Sequence, residues 1–303
     1  MNVLIEDVGN PVWGTLLPYL RPVADNLVGV DVSSLAFGLY IVDCGYLLPE
    51  SPESKYFAQA IQICRREKVD LVVPTRETGL FEWAKRKDRL ARHGINVLIS
   101  PPETVAICQD KWETYRFFVT HNVPTPRTSL EHEYELIKPR RGEGGSGILR
   151  AKPGEPVEMA GRLSQEFLIG EEISVDALCD LDGEIIYIVL RQRLCIEFGR
   201  SVIGKVVRDD SIRRYVRRIL RSAKFIGPVN IQCFRTTEGI FFTEINPRIA
   251  GGLSLSMAAT ENWFKVILRM LNGSSVKPKR VNYGLMMIRY LTDCIIHERE
   301  LLI

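Results

Sequence analysis

The residues best able to do chemistry sit on two short stretches. The first is a pair of strand-like runs, Pro228–Phe234 and Ile240–Arg248, flanking a turn signal at Thr236–Gly239. A turn centred on Glu238 predicts that Gln232 faces Glu244 and Asn230 faces Asn246. The period of two along a strand then puts all four on one face. Cross-strand neighbours stand about 5 Å apart, so these carboxylate and amide oxygens can converge on one or two cations. Such a set suits Mg2+, which is held by one or two carboxylates together with substrate phosphates. Arg248, two residues past Asn246, points the same way if the strand continues and would set positive charge beside those phosphates. The opposite face (Ile231, Cys233, Phe242, Ile245) is apolar. The polar face is therefore either a site or the solvated side of an edge hairpin, and spacing alone leaves both open.

The second stretch is a glycine loop, Leu136-Ile-Lys-Pro-Arg-Arg-Gly-Glu-Gly-Gly-Ser-Gly-Ile148. Gly142, Gly144 and Gly147 match G-x-G-x-x-G, yet the dinucleotide fingerprint must open a helix after a first strand. Here Ile148–Ala151 and then Lys152-Pro153-Gly154 follow, which cannot be a long helix. No Gly-Lys-Ser/Thr closes a Walker loop. What remains is a glycine hairpin with Lys138 on its incoming strand. Bare glycine amides can fold over a polyphosphate and Lys138 can neutralise it; a plain flexible β-turn is the alternative.

The elements that must position these stretches differ between the two halves. Strand-like runs at residues 3–5, 26–31, 70–74 and 95–99 alternate with helical patterns at Pro52–Lys68 and Gly79–His93. That order predicts an α/β domain with a parallel sheet over residues 1–100. Gly9-Asn10-Pro11 and Pro74-Thr75-Arg76-Glu77 follow strands, at the sheet edge where ligands bind, so Arg76 and Glu77 are candidate substrate contacts. From residue 101 onward the pattern is α+β. A helix at Asp110–His121 is followed by strands at 134–139, 148–151, 165–169, 173–181 and 184–194. A helix at Ser211–Lys224, strands at 228–235 and 239–245, and a long helix near Leu253–Leu271 complete it.

Composition excludes several classes. The 303 residues are 46% hydrophobic and 25% charged, as in an ordinary folded protein, and the length suits about two domains. A formal charge of +3 demands neither nucleic acid nor an anionic membrane as partner. Arg213, Arg214, Arg217, Arg218 and Arg221 crowd one helix, but Ile212, Val216, Ile219 and Leu220 line its other side, the pattern of a docked helix with a solvated face. The start is acidic within seven residues and lacks a signal-peptide n-region, and no apolar run reaches bilayer length. Seven scattered cysteines form no C-x-x-C pair, so the expectation is reduced thiols in a cytoplasmic setting.

Taken together these residues resemble the ATP-grasp superfamily, most closely the carboxylate–amine ligases related to the carbamoyl phosphate synthase large subunit. The most specific match is Phe241-Phe-Thr-Glu-Ile-Asn-Pro-Arg248, similar to the family's metal-binding Glu-x-Asn-Pro-Arg strand. The resemblance implies a Rossmann-like pre-ATP-grasp domain (1–100) before an ATP-grasp domain (101–303) with a small lid at about 127–168. It implies ATP and Mg2+ (or Mn2+), with Glu244 bridging two ions, Asn246 binding one, and Gln232 as the upstream ligand. Lys111, Lys138 and Gly144-Gly145-Ser146-Gly147 would meet phosphates, Glu166 with the Phe167–Leu168 backbone the adenine, and Glu172 the ribose. Arg248 would hold transferred phosphate. Arg191, Arg193 and Arg200, between hinge and hairpin, are candidate carboxylate or phosphate clamps, Arg193 foremost.

The implied activity is phosphorylation of a small-molecule carboxylate to an acyl phosphate and its capture by an amine or ammonia, with a homodimer as the assembly to test. A nucleotide-sensing module without turnover is the alternative. Two departures from the family stand out: Leu149–Ser164 is short, and the chain stops about thirty residues after the last long helix. Little room is left for a C-terminal recognition domain, so acceptor choice is expected to fall to the N-terminal sheet and neighbouring loops.

Overall fold

A computed structural model describes residues 1–50, 53–142, 144–197 and 200–302; the side chains of Glu53, Ser54 and Arg200 lie outside it, as do the expected helix start at Pro52 and the loop residue Glu143. The chain forms two compact units, residues 1–99 with 262–276 and 290–303, and residues 100–261 with 277–289.

The first unit contains β1 (Asn2–Glu6), α1 (Val12–Leu20), β2 (Asn26–Asp31), β3 (Cys44–Leu47), α2 (Glu53–Arg66), β4 (Leu71–Val73), α3 (Leu80–Ala91) and β5 (Asn96–Val97). All five strands are parallel, in the order β3-β2-β1-β4-β5. Val3, Leu4 and Ile5 are wholly buried, as a central strand covered on both faces requires. At the carboxyl end of β1 the buried Glu6 carboxylate accepts from Tyr56 Oη (2.6 Å), Trp83 Nε1 (2.9 Å) and the amides of Thr75 and Arg76 (3.3 Å each). Burial pushes its carboxyl above the ordinary range, outweighing those donors. The clamp fixes the loop that carries the candidates Arg76, whose guanidinium lies 5.3 Å from the Tyr56 ring centre, and Glu77, which opens a single 3-10 turn.

The second unit begins with α4 (Pro102–Gln109) and α5 (Lys111–Thr120). Then come β6 (Thr128–Ser129), β7 (Leu136–Pro139), β8 (Leu149–Arg150) and β9 (Arg162–Gln165), a small antiparallel sheet in the order β6-β9-β7-β8. A larger one holds β10 (Glu171–Cys179), β11 (Ile185–Glu197), β12 (Arg200–Val207), β13 (Gly227–Arg235) and β14 (Ile240–Asn246). The helix α6 (Asp210–Ser222) lies between β12 and β13 in the chain, and α7 (Leu253–Ala258) follows β14. The chain then returns to the first unit as α8 (Trp263–Leu271) before β15 (Met286–Ile288) completes the antiparallel order β14-β13-β10-β11-β12-β15.

Alternation divides the larger sheet cleanly. Ile173, Val175 and Ala177, Ile188 and Leu190, and Val229 and Ile231 all enter one apolar core with Ile212, Val216, Ile219 and Leu220 of α6. The residues between them form the other face, where Ser174, Asp176 and Asn230 bring polar groups beside the buried Val189.

Two expectations are corrected. The long helix at 253–271 is two, because Asn262 is extended and its Oδ1 accepts from Phe264 N at 3.0 Å, capping a new start. The strand expected at 165–169 ends at Gln165; Ile169 is 81% exposed and belongs to a link between the sheets. The helices α1 and α4 and the strands β3, β6, β12 and β15 were not anticipated.

Candidate active site

The polar face of the larger sheet is built by register. Asn230 pairs with Asn246 and Gln232 with Glu244, as the hairpin reading expected, but by another route. The turn is tighter than expected: Thr236 N donates to Gly239 O at 2.8 Å, which centres it between residues 237 and 238. A regular ladder from that turn would put Thr243 opposite Gln232. A bulge between Gln232 and Cys233 slips β14 by one residue, so that Glu244 and Asn246 face their partners while Phe242 and Ile245 both enter the core. The strand ends at Asn246. Arg248 N turns back to Asn246 O (2.9 Å) and its Nη1 donates to Ile249 O (3.2 Å), so strand alternation does not set its direction.

The face continues onto β10 and β11. Asp176 lies opposite Asn230, and Ser174 opposite both Gln232 and Arg191. Asp176 and Arg191 are 1% and 2% exposed. Arg191 Nε and Nη2 donate to the two Asp176 oxygens at 2.7 and 2.9 Å, Asn230 Nδ2 adds 2.8 Å and Ser256 Oγ of α7 adds 2.6 Å. Arg191, a candidate clamp, is thus paired with a buried carboxylate. A Cβ at Gly252 would fall 2.1 Å from Arg191 Nη1, so only glycine admits the guanidinium there. One row further, Arg193 Nη1 pairs with Glu172. The backbone of Arg200 opens β12, and its side chain lies outside the described residues.

The glycine loop is tied to the start of α5. Asp110 caps that helix, accepting from Trp112 N (2.9 Å) and Glu113 N (3.4 Å), and also from Arg140 Nε (3.1 Å) and Nη2 (2.7 Å). Lys111 N donates to Arg140 O at 2.9 Å and Lys111 Nζ to Gly142 O at 2.8 Å, while the same ammonium stands 3.9 Å from Glu244 Oε1. Helix start, loop entry and metal-type hairpin therefore meet at one lysine. Gly144 and Gly145 both have positive φ (65° and 76°), a consecutive pair that only glycine adopts readily, and Ser146 and Gly147 continue the exposed turn.

Lys138 on β7 is buried, with its Nζ donating to Gln165 Oε1 at 2.8 Å. Gln165 Nε2 in turn donates to Thr128 Oγ1 at 2.9 Å. Burial pushes the Lys138 ammonium below its usual range, Glu244 opposes that, the like charge of Lys111 adds to it, and Glu172 opposes it again. Lys111, Lys138, Glu172 and Glu244 thus form one charged neighbourhood. In the link between sheets, Glu166 accepts from Arg127 N (2.8 Å) and pairs with the Arg127 guanidinium; Phe167 is exposed, under Arg150 at 4.2 Å, and Leu168 is half-buried.

Sequence reasoning missed Asp110, Gln165, Asp176 and Ser256. An N-cap aspartate before a helical lysine was the available signal for Asp110, and a lone acid inside the apolar run Ile173–Cys179 was the signal for Asp176. Burial alone works to raise the Asp110 carboxyl, but the Arg140 guanidinium and the two helix amides outweigh it and hold it below the ordinary value of 3.8. A depressed folded-state value contributes stability above the unfolded value that is lost as pH falls through the folded one. Asp110→Ala is therefore expected to cost about 2 kcal/mol near neutral pH, the upper end for an N-cap. The gap from the parent in urea unfolding should close as pH drops below about 4; a pH-independent gap would overturn this account.

Among the described residues no three His, Cys, Asp or Glu side chains gather as a metal cluster. The donor set is one carboxylate, Glu244, with the amide oxygens of Gln232 and Asn246 available beside it. That fits a hard cation completing its sphere from a bound polyphosphate and would not hold a transition metal by itself.

Two family models match the chain. One, described as ATP-grasp in the biosynthetic pathway with Ter operon, covers residues 158–294, and the other, described as the PylC-like N-terminal domain, covers residues 18–98. Among similar solved structures is the biotin carboxylase domain dimer of Hydrogenobacter thermophilus 2-oxoglutarate carboxylase, in complex with magnesium ADP and bicarbonate. It is 16% identical at a TM-score of 0.74, over 94% of this chain and 73% of that one. N5-carboxyaminoimidazole synthetase from Staphylococcus aureus, complexed with ADP, is 15% identical at 0.75 over 96% and 82%. Rhizobium etli pyruvate carboxylase is 15% identical at 0.69, and this chain spans 28% of its length. At such identities these are likenesses of fold.

Proposed function

We propose that this ATP-grasp chain is an ATP-dependent ligase that activates a small-molecule carboxylate as an acyl phosphate and joins it to an amine or ammonia. The observation that carries the reading is the contact of Lys111, at a helix start, with both Gly142 O of the glycine loop and Glu244 of the hairpin, with the buried Lys138 near enough to feel both charges. Two lysines and a cation-binding oxygen set beside mobile-type glycine amides are the groups a transferring phosphoryl needs.

In this reading Lys111 and Lys138 hold the ATP phosphates and Gly144–Gly147 covers them, with water kept out while the acyl phosphate waits. The exposed apolar link around Phe167 and Leu168 offers its backbone to the adenine beside Glu166, and Glu172, steadied by Arg193, takes the ribose. Glu244, Asn246 and Gln232 hold Mg2+, which when bound offsets charge on the β- and γ-phosphates. The acceptor carboxylate oxygen takes the γ-phosphoryl group as ADP leaves; the amine then attacks the carbonyl carbon and phosphate departs. Arg248 steadies the departing phosphate, and Glu77 and Arg200 are further acceptor contacts to test.

The test is ADP release measured across a panel of carboxylate and amine pairs, with products read by mass spectrometry. Mg2+-dependent ADP formation that requires one acid, accompanied by an amide-bond product, is the expected result. Tight ATP binding with no ADP from any pair would reject catalysis.

A further inference from the structure

The arginines of α6 present a surface that the proposed ligase site does not use. The helix packs into the apolar core through Ile212, Val216, Ile219 and Leu220, on the side of the larger sheet away from Glu244. Its outward cations are uncompensated. Among the described residues Arg213, Arg214, Arg217, Arg218, Arg221 and the neighbouring Lys224 enter no ion pair, although exposed arginines elsewhere, such as Arg21, Arg116, Arg127 and Arg150, do. Their six charges exceed the +3 of the whole chain. Solvated surface helices ordinarily interleave acids with such bases, and here Asp210 in the first turn is the helix's sole acid.

These cations frame a concavity. A recess of about 540 Å3 runs between α6 and the turn joining β10 to β11. Arg213, Arg217, Arg221 and Lys224 form one wall; Arg213 is braced by donating to Ile188 O at 3.0 Å, while Arg217, Arg221 and Lys224 are exposed. Ile185, Ile186, Ile188 and Leu220 line the base, and Asp182 and Glu184 stand on the opposite rim.

We propose that this recess docks an acidic, aliphatic segment of a partner protein. Carboxylates match guanidinium forks, which bind them bidentately, and a branched aliphatic side chain matches the isoleucine and leucine base. Nucleic acid fits less well. No aromatic ring lines the recess for base stacking, since Tyr215 is engaged by Arg218 at 5.7 Å and by the buried Phe242 at 5.9 Å. A membrane surface would need the apolar side chains on a convex face, and here they lie at the bottom of a hollow.

The experiment uses the full chain and a fluorescein-labelled peptide of glutamate and leucine, followed by anisotropy. Comparison probes are the same peptide with glutamine for glutamate, the same peptide with alanine for leucine, and an oligothymidylate of equal charge. The glutamate–leucine peptide is expected to bind most tightly and to weaken about tenfold or more in Arg217→Glu/Arg221→Glu. Arg217→Gln/Arg221→Gln should be intermediate, with thermal unfolding unchanged in both since the replaced groups are exposed. Affinity should fall as salt rises, and fall again when leucine becomes alanine. Tighter binding of the oligothymidylate, indifference to the leucine change, or peptide binding unaltered in both double variants would each overturn the proposal. None of these residues belongs to the ligase reading, so ADP release is expected to be unaffected either way.

Discussion

Glu244→Gln is expected to lower Mg2+-dependent ADP formation by about a thousandfold, some 4 kcal/mol of transition-state stabilisation, while leaving the fold intact. Of the oxygen donors that the β13–β14 register brings together, Glu244 alone is an acid; Gln232 and Asn246 are amides. Replacing it by glutamine keeps the shape and an oxygen but leaves three neutral donors to hold a divalent ion. The side chain is 29% exposed and its ion-pair partner Lys111 also donates to Gly142 O, so little packing depends on its charge. A second consequence distinguishes a metal ligand from a general structural role. With the carboxylate gone, the Lys111 ammonium loses its 3.9 Å competitor and is freer to meet phosphate, so ATP affinity measured without Mg2+ should hold or rise while the gain in affinity on adding Mg2+ disappears. A fall in turnover below about tenfold, or an undiminished Mg2+ effect on ATP binding, would remove Glu244 from the role given to it.

How far the sequence revealed this depended on the scale of the feature. Apolar patterning was enough to separate an α/β half from an α+β half, because continuous apolar runs such as Val3–Ile5 mark strands buried on both faces while Ile173–Ala177 alternates apolar with polar residues. Segments that break the local rules were missed. The helix α1 contains Gly14 and Pro18, both poor helix residues, and is held by burial of Trp13, Leu16 and Leu20. Phe167, Leu168 and Ile169 read as a strand because apolarity was taken for burial, whereas the chain leaves Phe167 and Ile169 exposed.

At the site, pairing of Gln232 with Glu244 was legible, but its cause was not. The expected turn centre was half a residue off, and a bulge that no hydrophobic pattern announces restored the register. The contacts of Lys111 with Gly142 and Glu244 span 31 and 133 positions, and local spacing carries no information at that range. The pairing of Arg191 was hidden for the same reason. Its partner Asp176 lies on the neighbouring strand, and only the ladder between β10 and β11 says that the two side chains share a face.

That pair sets the largest stability effect to be expected in the molecule. Asp176→Ala should cost about 3–5 kcal/mol, the range for breaking a buried ion pair by removing one partner. The loss is not simply that of one bond. Arg191 would remain buried with its charge uncompensated, and the Asn230 and Ser256 donors, 4% and 0% exposed, would lose the acceptor they share. Removing both charges relieves the worst of this, so Asp176→Ala/Arg191→Met should recover a substantial part of the stability lost by the first change alone. The double-mutant cycle, measured by urea unfolding, is expected to return a coupling of about 2 kcal/mol or more. It also separates two uses of Arg191. An arginine held for acceptor binding would show Arg191→Met as a rise in KM with little change in unfolding. A positioning arginine instead lowers stability in the single variant and couples strongly to Asp176, because Asn230 sits opposite Asn246 and depends on the same carboxylate for its orientation. Additive costs in the cycle, together with a KM effect confined to the acceptor, would return Arg191 to the binding surface.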